Sequence, residues 1–234
     1  MDPANPLRVS EESRRGIVST AAVMTRREAP AWRLVATLTF AGALAGLLLV
    51  FVFDATQPRI EAYKEKMLAL AVGEVLGSPS DVETLYRVDG RLVSELSAGI
   101  HDRTTDRVFR GLGDDGSQIG FAIVAAQPGF QDVVRLIFGY DPSDGEILGM
   151  KVLESKETPG LGDKIEKDRD FVGQFHGVLA PLIGVKSGKG TGGPDEIDMI
   201  TGATISSRAV IKIINQAIEG WSPLVTDYGV EAGE

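Results

Sequence analysis

One uninterrupted apolar run dominates the first quarter of the chain. Residues 34–53, LVATLTFAGALAGLLLVFVF, contain no charged side chain. As a helix this run would reach about 30 Å, the thickness of the hydrocarbon core of a bilayer. The run therefore predicts a single transmembrane helix. A cleaved signal peptide and a buried helix of a soluble protein are the alternatives, and the length of the run favours a retained span.

The pattern after this span changes to a helical period. Apolar residues recur every three to four positions up to Gly77, and they predict an amphipathic stalk helix within residues 54–78. The predicted apolar face consists of Ile60, Tyr63, Met67, Leu70, Val75 and Leu76.

Short strand-like runs separated by turn residues follow the stalk. Asp89-Gly90 joins TLYRV to RLVSEL, and Asp115-Gly116 joins RVFRGL to IGFAIVAAQPGF. A third turn, at 141–145, joins two further strands. Asp-Gly between alternating runs is a strong hairpin signal, so we expect an antiparallel meander.

The last third of the chain mixes helix and loop signals. Residues 163–184 combine helix and turn, and residues 185–195 form a glycine-rich loop. Residues 206–219 have the period of a helix, with Ile211, Ile214 and Ile218 on one face. The fold class is therefore α+β: a single N-terminal transmembrane helix, then a β-rich domain with flanking helices. The expected parts are an N-terminal segment 1–33, the span 34–53, the stalk 54–78, the domain 79–222 and a C-terminal tail 223–234.

Charge is divided unevenly between the two sides of the span. Residues 1–33 carry a net charge of +2, and the remainder carries −11. Five arginines lie shortly before the span, against Arg59, Lys64 and Lys66 shortly after it. Because positive residues collect on the cytoplasmic side, we expect a cytoplasmic N-terminus and an extracytoplasmic or periplasmic domain at the inner membrane. The acidic domain also argues against nucleic-acid binding.

The residue types exclude several chemistries. The chain has no cysteine, and His101 and His176 are its only histidines. Thiol catalysis, disulfides and cysteine-ligated iron–sulfur clusters are excluded. A histidine-based triad or metal site would have to use one of only two histidines, which disfavours both. We therefore expect no histidine-based catalytic site and no metal site.

Hydroxyl residues crowd the start of the last predicted helix, in DMITGATISS. A helix start presents free backbone N–H groups, which bind anions such as phosphate. Gly202 allows a tight turn there, and Ala203 leaves room for a ligand. Ser206 or Ser207 can also cap the helix, so a phosphate site and simple capping both remain open.

A second irregular segment, ETPGLG, follows a predicted strand. Pro159, Gly160 and Gly162 force a tight turn between Glu157 and Gly162. Such a loop can lay its backbone and the Leu161 side chain against a flat ligand. A plain surface turn is the alternative.

Together the two segments resemble the FMN-binding domain family. Residues 198–206 are similar to its flavinylation motif D-x-x-[ST]-G-A-[ST]-x-[ST], and ETPGLG is similar to its flavin loop. With the membrane helix and stalk, the chain resembles the G subunit of Rnf-type ion-translocating oxidoreductases. It also resembles the C subunit of the sodium-translocating NADH:quinone oxidoreductase.

The resemblance implies that FMN is covalently bound to Thr204 by a phosphoester. A flavin transferase would install it outside the cytoplasm, using FAD and a divalent metal. Thr201 and Ser206 would donate hydrogen bonds to the phosphate. Asp198 would shape the loop or guide the transferase's metal.

The remaining implied contacts concern the isoalloxazine ring. The loop from Glu157 to Gly162 would hold the ring, with the backbone of Thr158 and Gly160 at its pyrimidine edge. Leu161 would cover one ring face, beside Pro159.

The implied function is that of an electron-carrying subunit without a substrate-turnover site of its own. In an Rnf-type complex, electron flow between ferredoxin and NAD is coupled to Na⁺ or H⁺ movement. Its partners would be the other membrane and peripheral subunits, membrane lipid and the flavin transferase. The alternatives are the FMN subunit of a sodium-translocating quinone reductase and a cofactor-free, membrane-anchored assembly module.

Overall fold

The computed structural model describes residues 30–95 and 105–231. The chain before residue 30, with most of the predicted cytoplasmic segment, and His101 lie outside the described residues. The elements in chain order are α1 (Ala31–Val75), β1 (Asp81–Val88), β2 (Arg91–Val93), β3 (Arg107–Leu112), β4 (Gln118–Pro128), β5 (Val133–Asp141), β6 (Glu146–Glu154), α2 (Lys164–Lys167), α3 (Arg169–Gly173), β7 (Val178–Leu179), β8 (Ile183–Lys186), β9 (Glu196–Met199) and α4 (Thr204–Glu231).

The chain divides into two units, one ending at Gln57 and one beginning at Pro58. The described part of the first unit is helical and exposed. An 18-residue window of α1 has a mean hydropathy of 2.3, and none of that window is buried. By length and composition, α1 is the one helix in the described part of the chain that could cross a membrane.

Helix α1 continues through Pro58, whereas the sequence predicts a separate stalk helix after that proline. A proline inside a helix removes one backbone hydrogen bond and tends to kink or break the helix. Here the helix carries on to Val75, so span and stalk are one element.

Strands β1 to β7 form a seven-stranded antiparallel sheet, counted over the described residues, in the order β2-β1-β3-β4-β5-β6-β7. The predicted hairpins are all present. At the β1–β2 hairpin, Asp89 and Gly90 both have positive φ, at 51° and 77°. A two-residue hairpin turn needs that pair of values. The meander and the α+β fold class are therefore confirmed.

Each face of this sheet is covered by a different helix. On one face, Phe121, Ile123 and Phe138 belong to a core shared with Val210 and Ile214 of α4. On the other face, Ala122 and Ile137 pack with the last turns of α1. The predicted apolar face of the last helix is confirmed, since Ile211 and Ile214 are buried and Ile218 packs against the same core.

The stalk packs through only part of the predicted face, its end at Val75 and Leu76. Ile60, Tyr63 and Leu70 are exposed. The residues that enter the second core are Leu68, Ala71, Val72, Val75 and Leu76. The apolar contacts of the stalk with the sheet involve only residues from Leu68 onward, among those that the structure describes, so the periodicity of the earlier part did not indicate the buried face.

The C-terminal elements differ from the prediction at their ends. The glycine-rich loop begins after Lys186, because residues 183–186 form β8, which pairs in parallel with β9. Helix α4 is longer than the predicted 206–219 and continues through Pro223 to Glu231. Most of the predicted tail is therefore helical, and Trp221 and Val225 extend the buried face of α4.

Candidate functional site

The hydroxyl-rich segment forms a tight turn that leads directly into α4. The Ala203 N–H donates to the Ile200 carbonyl at 3.0 Å, which closes a β-turn. Gly202 holds the third position with φ of +84°, as such a turn requires. Thr201 is exposed, and Thr204, the first residue of the 28-residue helix, is partly exposed. Thr204 is therefore a partly exposed hydroxyl residue at a helix N-terminus.

Neither serine caps this helix, so the capping that the sequence left open as an alternative does not occur at these two residues. Both Ser206 and Ser207 lie inside the first turn of α4. The Ser207 hydroxyl donates to the Ala203 carbonyl at 3.0 Å and accepts from the Ile200 N–H at 3.2 Å, which braces the turn. The residue before the helix, Ala203, has a methyl side chain, which cannot accept a hydrogen bond from the first N–H groups of the helix. The first N–H groups of α4 therefore receive no cap from that position and remain suited to an external anion.

The loop after β6 contains a turn of the same form. The Leu161 N–H donates to the Thr158 carbonyl at 3.1 Å, with Pro159 second and Gly160, at φ of +78°, third. Proline and glycine favour these two positions of the turn. The Thr158 carbonyl also accepts from the Asp163 N–H at 3.4 Å, so it is engaged within its own loop. Of the two backbones expected at the ring edge, only that of Gly160 lies at an exposed position.

The two turns lie against each other. The Leu161 Cδ2 atom is 3.9 Å from the position that a Cβ would take on Gly202. Gly162 follows Leu161, and a Cβ atom on Gly162 would lie 2.9 Å from the Ser206 Oγ. The structure thus brings together two segments about forty residues apart in the chain.

A buried carboxylate, that of Glu157, lies behind this junction and is 5% exposed. Its Oε2 accepts from the Ser206 hydroxyl at 2.6 Å. Its Oε1 accepts from the N–H groups of Phe130 and Gln131, at 2.9 and 3.0 Å. The Ser206 hydrogen therefore points to Glu157, although the sequence suggested the phosphate as its acceptor. Glu157 itself lies beneath the surface of the loop.

Hydrogen bonding determines the charge state of Glu157. Burial raises the pKa of this carboxyl, but the Ser206 hydroxyl and the backbone N–H groups of Gln131, Phe130 and Asp132 lower it more. The net pKa lies below its usual range, so the group is an anion at neutral pH.

Exposed apolar side chains occur on each of the three segments that contact the Glu157 carboxylate. Phe130 is 64% exposed, Leu161 50% and Ile205 55%. Phe130 itself donates its N–H to the Glu157 carboxylate. Leu161 precedes Gly162, and Ile205 precedes Ser206, and both Gly162 and Ser206 lie beside that carboxylate. Exposed apolar groups on segments that meet close to the start of α4 suit a ligand that combines a flat ring with a phosphate.

Asp198 lies on β9 and its side chain is turned toward the glycine-rich loop. Its Oδ1 is buried and lies 3.3 Å from the position that a Cβ would take on Gly190. The Gln174 amide binds the Asp198 backbone, accepting from its N–H at 2.6 Å and donating to its carbonyl at 3.2 Å. These contacts agree with a role in shaping the loop. In residues 30–95 and 105–231, no group of three or more His, Cys, Asp or Glu could hold a metal ion.

The turn between β4 and β5 was not identified from the sequence. Besides the two N–H groups that bind Glu157, the Gln131 Oε1 accepts from the Thr158 hydroxyl at 2.8 Å. The available signal was Phe130, a large apolar residue within a turn sequence, QPGFQD.

Comparisons with known proteins agree with this geometry. A model of the FMN-binding domain family matches residues 129–219, which include both turns and Glu157. Among solved structures, NqrC of Shewanella oneidensis superposes with a TM-score of 0.59 at 19% identity, over 71% of this chain and 99% of that one. The C subunit of the Na⁺-translocating NADH-quinone reductase of Parabacteroides distasonis gives a TM-score of 0.50 at 24% identity, over 63% of this chain and 78% of that one. These structures share the fold.

Curated relatives show the family. The G subunit of the ion-translocating oxidoreductase complex of Vibrio vulnificus is 30% identical over 181 residues, covering 77% of this chain and 83% of that protein. The Methanosarcina acetivorans protein of the same name is 28% identical over 187 residues, covering 80% and 92%. The chain therefore belongs to the family of G subunits of ion-translocating oxidoreductase complexes and contains an FMN-binding domain.

Proposed function

We propose that this chain is the flavin-carrying electron-transfer subunit of a membrane-bound, Rnf-type complex, with FMN attached to Thr204 by a phosphoester. One observation carries the proposal. The Thr204 hydroxyl stands at the start of a long helix whose preceding residue, Ala203, gives no cap, and the Thr158–Leu161 turn packs beside it. A partly exposed threonine, a helix start suited to an anion and the exposed Leu161 side chain therefore lie together.

Thr204 would be the acceptor in maturation. Its oxygen would form a bond to the FMN phosphorus of FAD, the pyrophosphate bond would break, AMP would leave, and the hydroxyl proton would pass to a base of the transferase. The phosphodiester retains one negative charge. The N-terminal end of α4 stabilises that charge through its free N–H groups and its dipole.

The residues around Thr204 would bind the phosphate, form the turn and contact the ring. Thr201 is exposed in the turn and can donate to the phosphate, whereas Ser206 donates to Glu157. Gly202 and Ala203 set the turn. The exposed Leu161 side chain and the Gly160 backbone would contact the ring, which when bound supplies one-electron redox chemistry.

The place of the chain in a complex follows from its relatives. The G-type relatives belong to multi-subunit ion-translocating oxidoreductases, so the expected partners are other subunits of such a complex. We propose that the complex couples ferredoxin and NAD electron flow to Na⁺ or H⁺ transport. The apolar part of α1 would anchor the chain in the inner membrane with its N-terminus cytoplasmic. Membrane lipid would contact this part of α1, and the flavin transferase would contact the domain outside the cytoplasm.

The test is in-gel fluorescence of the denatured protein. Chain produced together with a flavin transferase should fluoresce under ultraviolet light, and Thr204→Ala should be dark. Thr226→Ala, at an exposed threonine further along α4, is the matched control and should stay bright. A dark wild-type band would contradict covalent attachment, and a native protein that also lacks flavin absorbance would favour the cofactor-free assembly module.

The alternative complex, a sodium-translocating quinone reductase, has a separate test. Its C subunits share the fold with this chain, but at identities below those of the G-type relatives. Purification in mild detergent followed by identification of the copurifying subunits distinguishes the two complexes. An iron–sulfur barrel subunit supports the Rnf-type complex, and a flavin subunit with a ferredoxin-like domain supports the other.

A further inference from the structure

The Glu157 carboxylate joins three segments that are distant in sequence. It accepts from Phe130 and Gln131 in the β4–β5 turn and from Ser206 in the first turn of α4, and it begins the ETPGLG loop itself. Two of these segments, the ETPGLG loop and the first turn of α4, meet beside the turn that precedes Thr204. Removing the carboxylate would leave the three without a common partner.

Two glycines enclose this group. A Cβ on Gly129 would lie 2.5 Å from the Glu157 Oε1, and a Cβ on Gly162 would lie 2.6 Å from its Oε2. Real Cβ atoms do not approach other atoms so closely, so both positions need glycine while the carboxylate stays where it is. The site is thus built around one buried group.

The charge of this group is not cancelled by its hydrogen-bond donors. The two N–H groups and the Ser206 hydroxyl are all neutral. Burial also removes the water that would screen it, so its field extends further than that of a surface carboxylate.

The charge also lies near the attachment point. Ser206 is two residues beyond Thr204 in the same helix, a separation of about 5–6 Å between Cα atoms by helix geometry. The Glu157 Oε2 is 2.6 Å from the Ser206 Oγ. The ETPGLG loop, which we propose holds the ring, begins at Glu157, so an electron added to that ring meets a negative charge that is already present.

We propose that Glu157 is the positioning residue of this site: it couples the β4–β5 turn and the ETPGLG loop to the start of α4, and its negative charge lowers the reduction potential of the bound flavin. This inference rests on the proposed function, because it concerns the flavin carried by Thr204. It assigns Glu157 a role without direct contact with the ring.

The Glu157→Gln variant removes the negative charge of the side chain while keeping its size and shape. In Glu157→Gln, the amide oxygen can still accept from Phe130 and Gln131, and the amide nitrogen can donate to the Ser206 oxygen. The network keeps its members while the negative charge is lost. The direction of the Ser206 bond reverses, which frees the Ser206 hydrogen for the phosphate.

The first experiment measures the midpoint potential of the covalent flavin in the full-length protein in detergent. Glu157→Gln should shift the potential to more positive values. The shift should persist between pH 6 and 8 and at 1 M salt, because the charge is buried. Glu154→Gln is the matched control: its side chain is 52% exposed and ion-paired with Lys64, so its effect should be small and vanish in salt.

Unchanged potential in Glu157→Gln, or a shift that salt abolishes, would overturn the role of the charge. A purely structural role predicts altered stability with the potential unmoved. Ser206→Ala provides a further check. It keeps the charge while cutting the bond to α4, so its potential should not move in the positive direction.

The second experiment needs no flavin and tests the coupling alone. In a Thr204→Ala background, hydrogen exchange at the Phe130 and Gln131 amides is compared with and without Ser206→Ala. If Glu157 couples the segments, loss of Ser206 raises exchange at both amides. Ser222→Ala, which removes a hydroxyl contact with Tyr140 elsewhere on α4, should leave them unchanged.

The two experiments also separate this inference from the proposed function. A dark wild-type protein ends the covalent-flavin proposal and with it the role of the charge, and the exchange experiment then decides the coupling. A fluorescent wild type with unchanged amide exchange in Ser206→Ala retains the proposed function and overturns the coupling.

Discussion

The side chain of Leu161 packs against the backbone of Gly202, with its Cδ2 3.9 Å from the position a Cβ would take there. These two residues belong to two turns of one form, each with a glycine at positive φ in its third position. The contact sets how the ETPGLG loop stands next to Thr204. Leu161 leaves enough space for a methyl group on Gly202. Glycine is therefore required at this position for its positive φ and not for lack of space.

Gly202→Ala should therefore act through conformation alone. Alanine at φ of +84° costs about 1–2 kcal/mol of stability. The turn will relax toward negative φ and displace Thr204, so in-gel flavin fluorescence should fall several-fold. Thermal unfolding and fluorescence per mole of protein measure the two effects.

Gly116→Ala is the control for that experiment. Gly116 has φ of +76° and open space around it, but it lies in the β3–β4 hairpin. It should lose similar stability and keep full fluorescence. Equal loss of fluorescence in both variants would mean that reduced stability, and not the geometry of the turn, limits flavin attachment.

Local sequence patterns were sufficient to predict most of the hairpins of the sheet. Asp89-Gly90 and Asp115-Gly116 predict their hairpins because a tight turn with positive φ needs such residues. The start of the last helix was placed two residues too late. Serines after a turn favour capping, but here Ser207 bonds back to Ala203 and the helix begins at Thr204.

Contacts between distant segments could not be predicted in the same way. Glutamate is usually exposed, and nothing near Glu157 in the sequence indicates the N–H groups of Phe130 and Gln131, about 26 residues earlier. The end of α4 was missed for a related reason. Pro223 suggests a helix end, but burial of Trp221 and Val225 against the core favours continuation.

Acid should destabilise the domain partly through Glu157. Its pKa is lowered in the folded state, so the folded protein binds fewer protons than the unfolded chain below the ordinary value of 4.5. The carboxylate's stabilising contribution is complete above that pH and is lost as the pH falls through the folded pKa. Unfolding temperatures between pH 3 and 7 should show this loss in wild type and a smaller one in Glu157→Gln. Parallel curves would contradict it.

The end of α1 depends on a close approach to the sheet. A Cβ on Gly139 would lie 2.3 Å from the Val75 carbonyl oxygen, so Gly139→Ala must push the helix end and β5 apart. We expect a loss of about 1–3 kcal/mol in denaturant unfolding. Gly73→Ala, on α1 with open space around it, should instead be neutral or up to about 1 kcal/mol more stable. Equal destabilisation by both would mean that the approach at Gly139 is not the cause.

The proposed orientation can be tested by labelling, because the chain has no cysteine of its own. Ser187 is exposed at the start of the glycine-rich loop, and Ser13 precedes the apolar run. If positive charge holds the N-terminus inside, a membrane-impermeant maleimide should label Ser187→Cys in intact spheroplasts and Ser13→Cys only after lysis. Flavin fluorescence of each variant verifies that the domain still matures. The reverse labelling pattern would place the domain in the cytoplasm, away from an extracytoplasmic transferase.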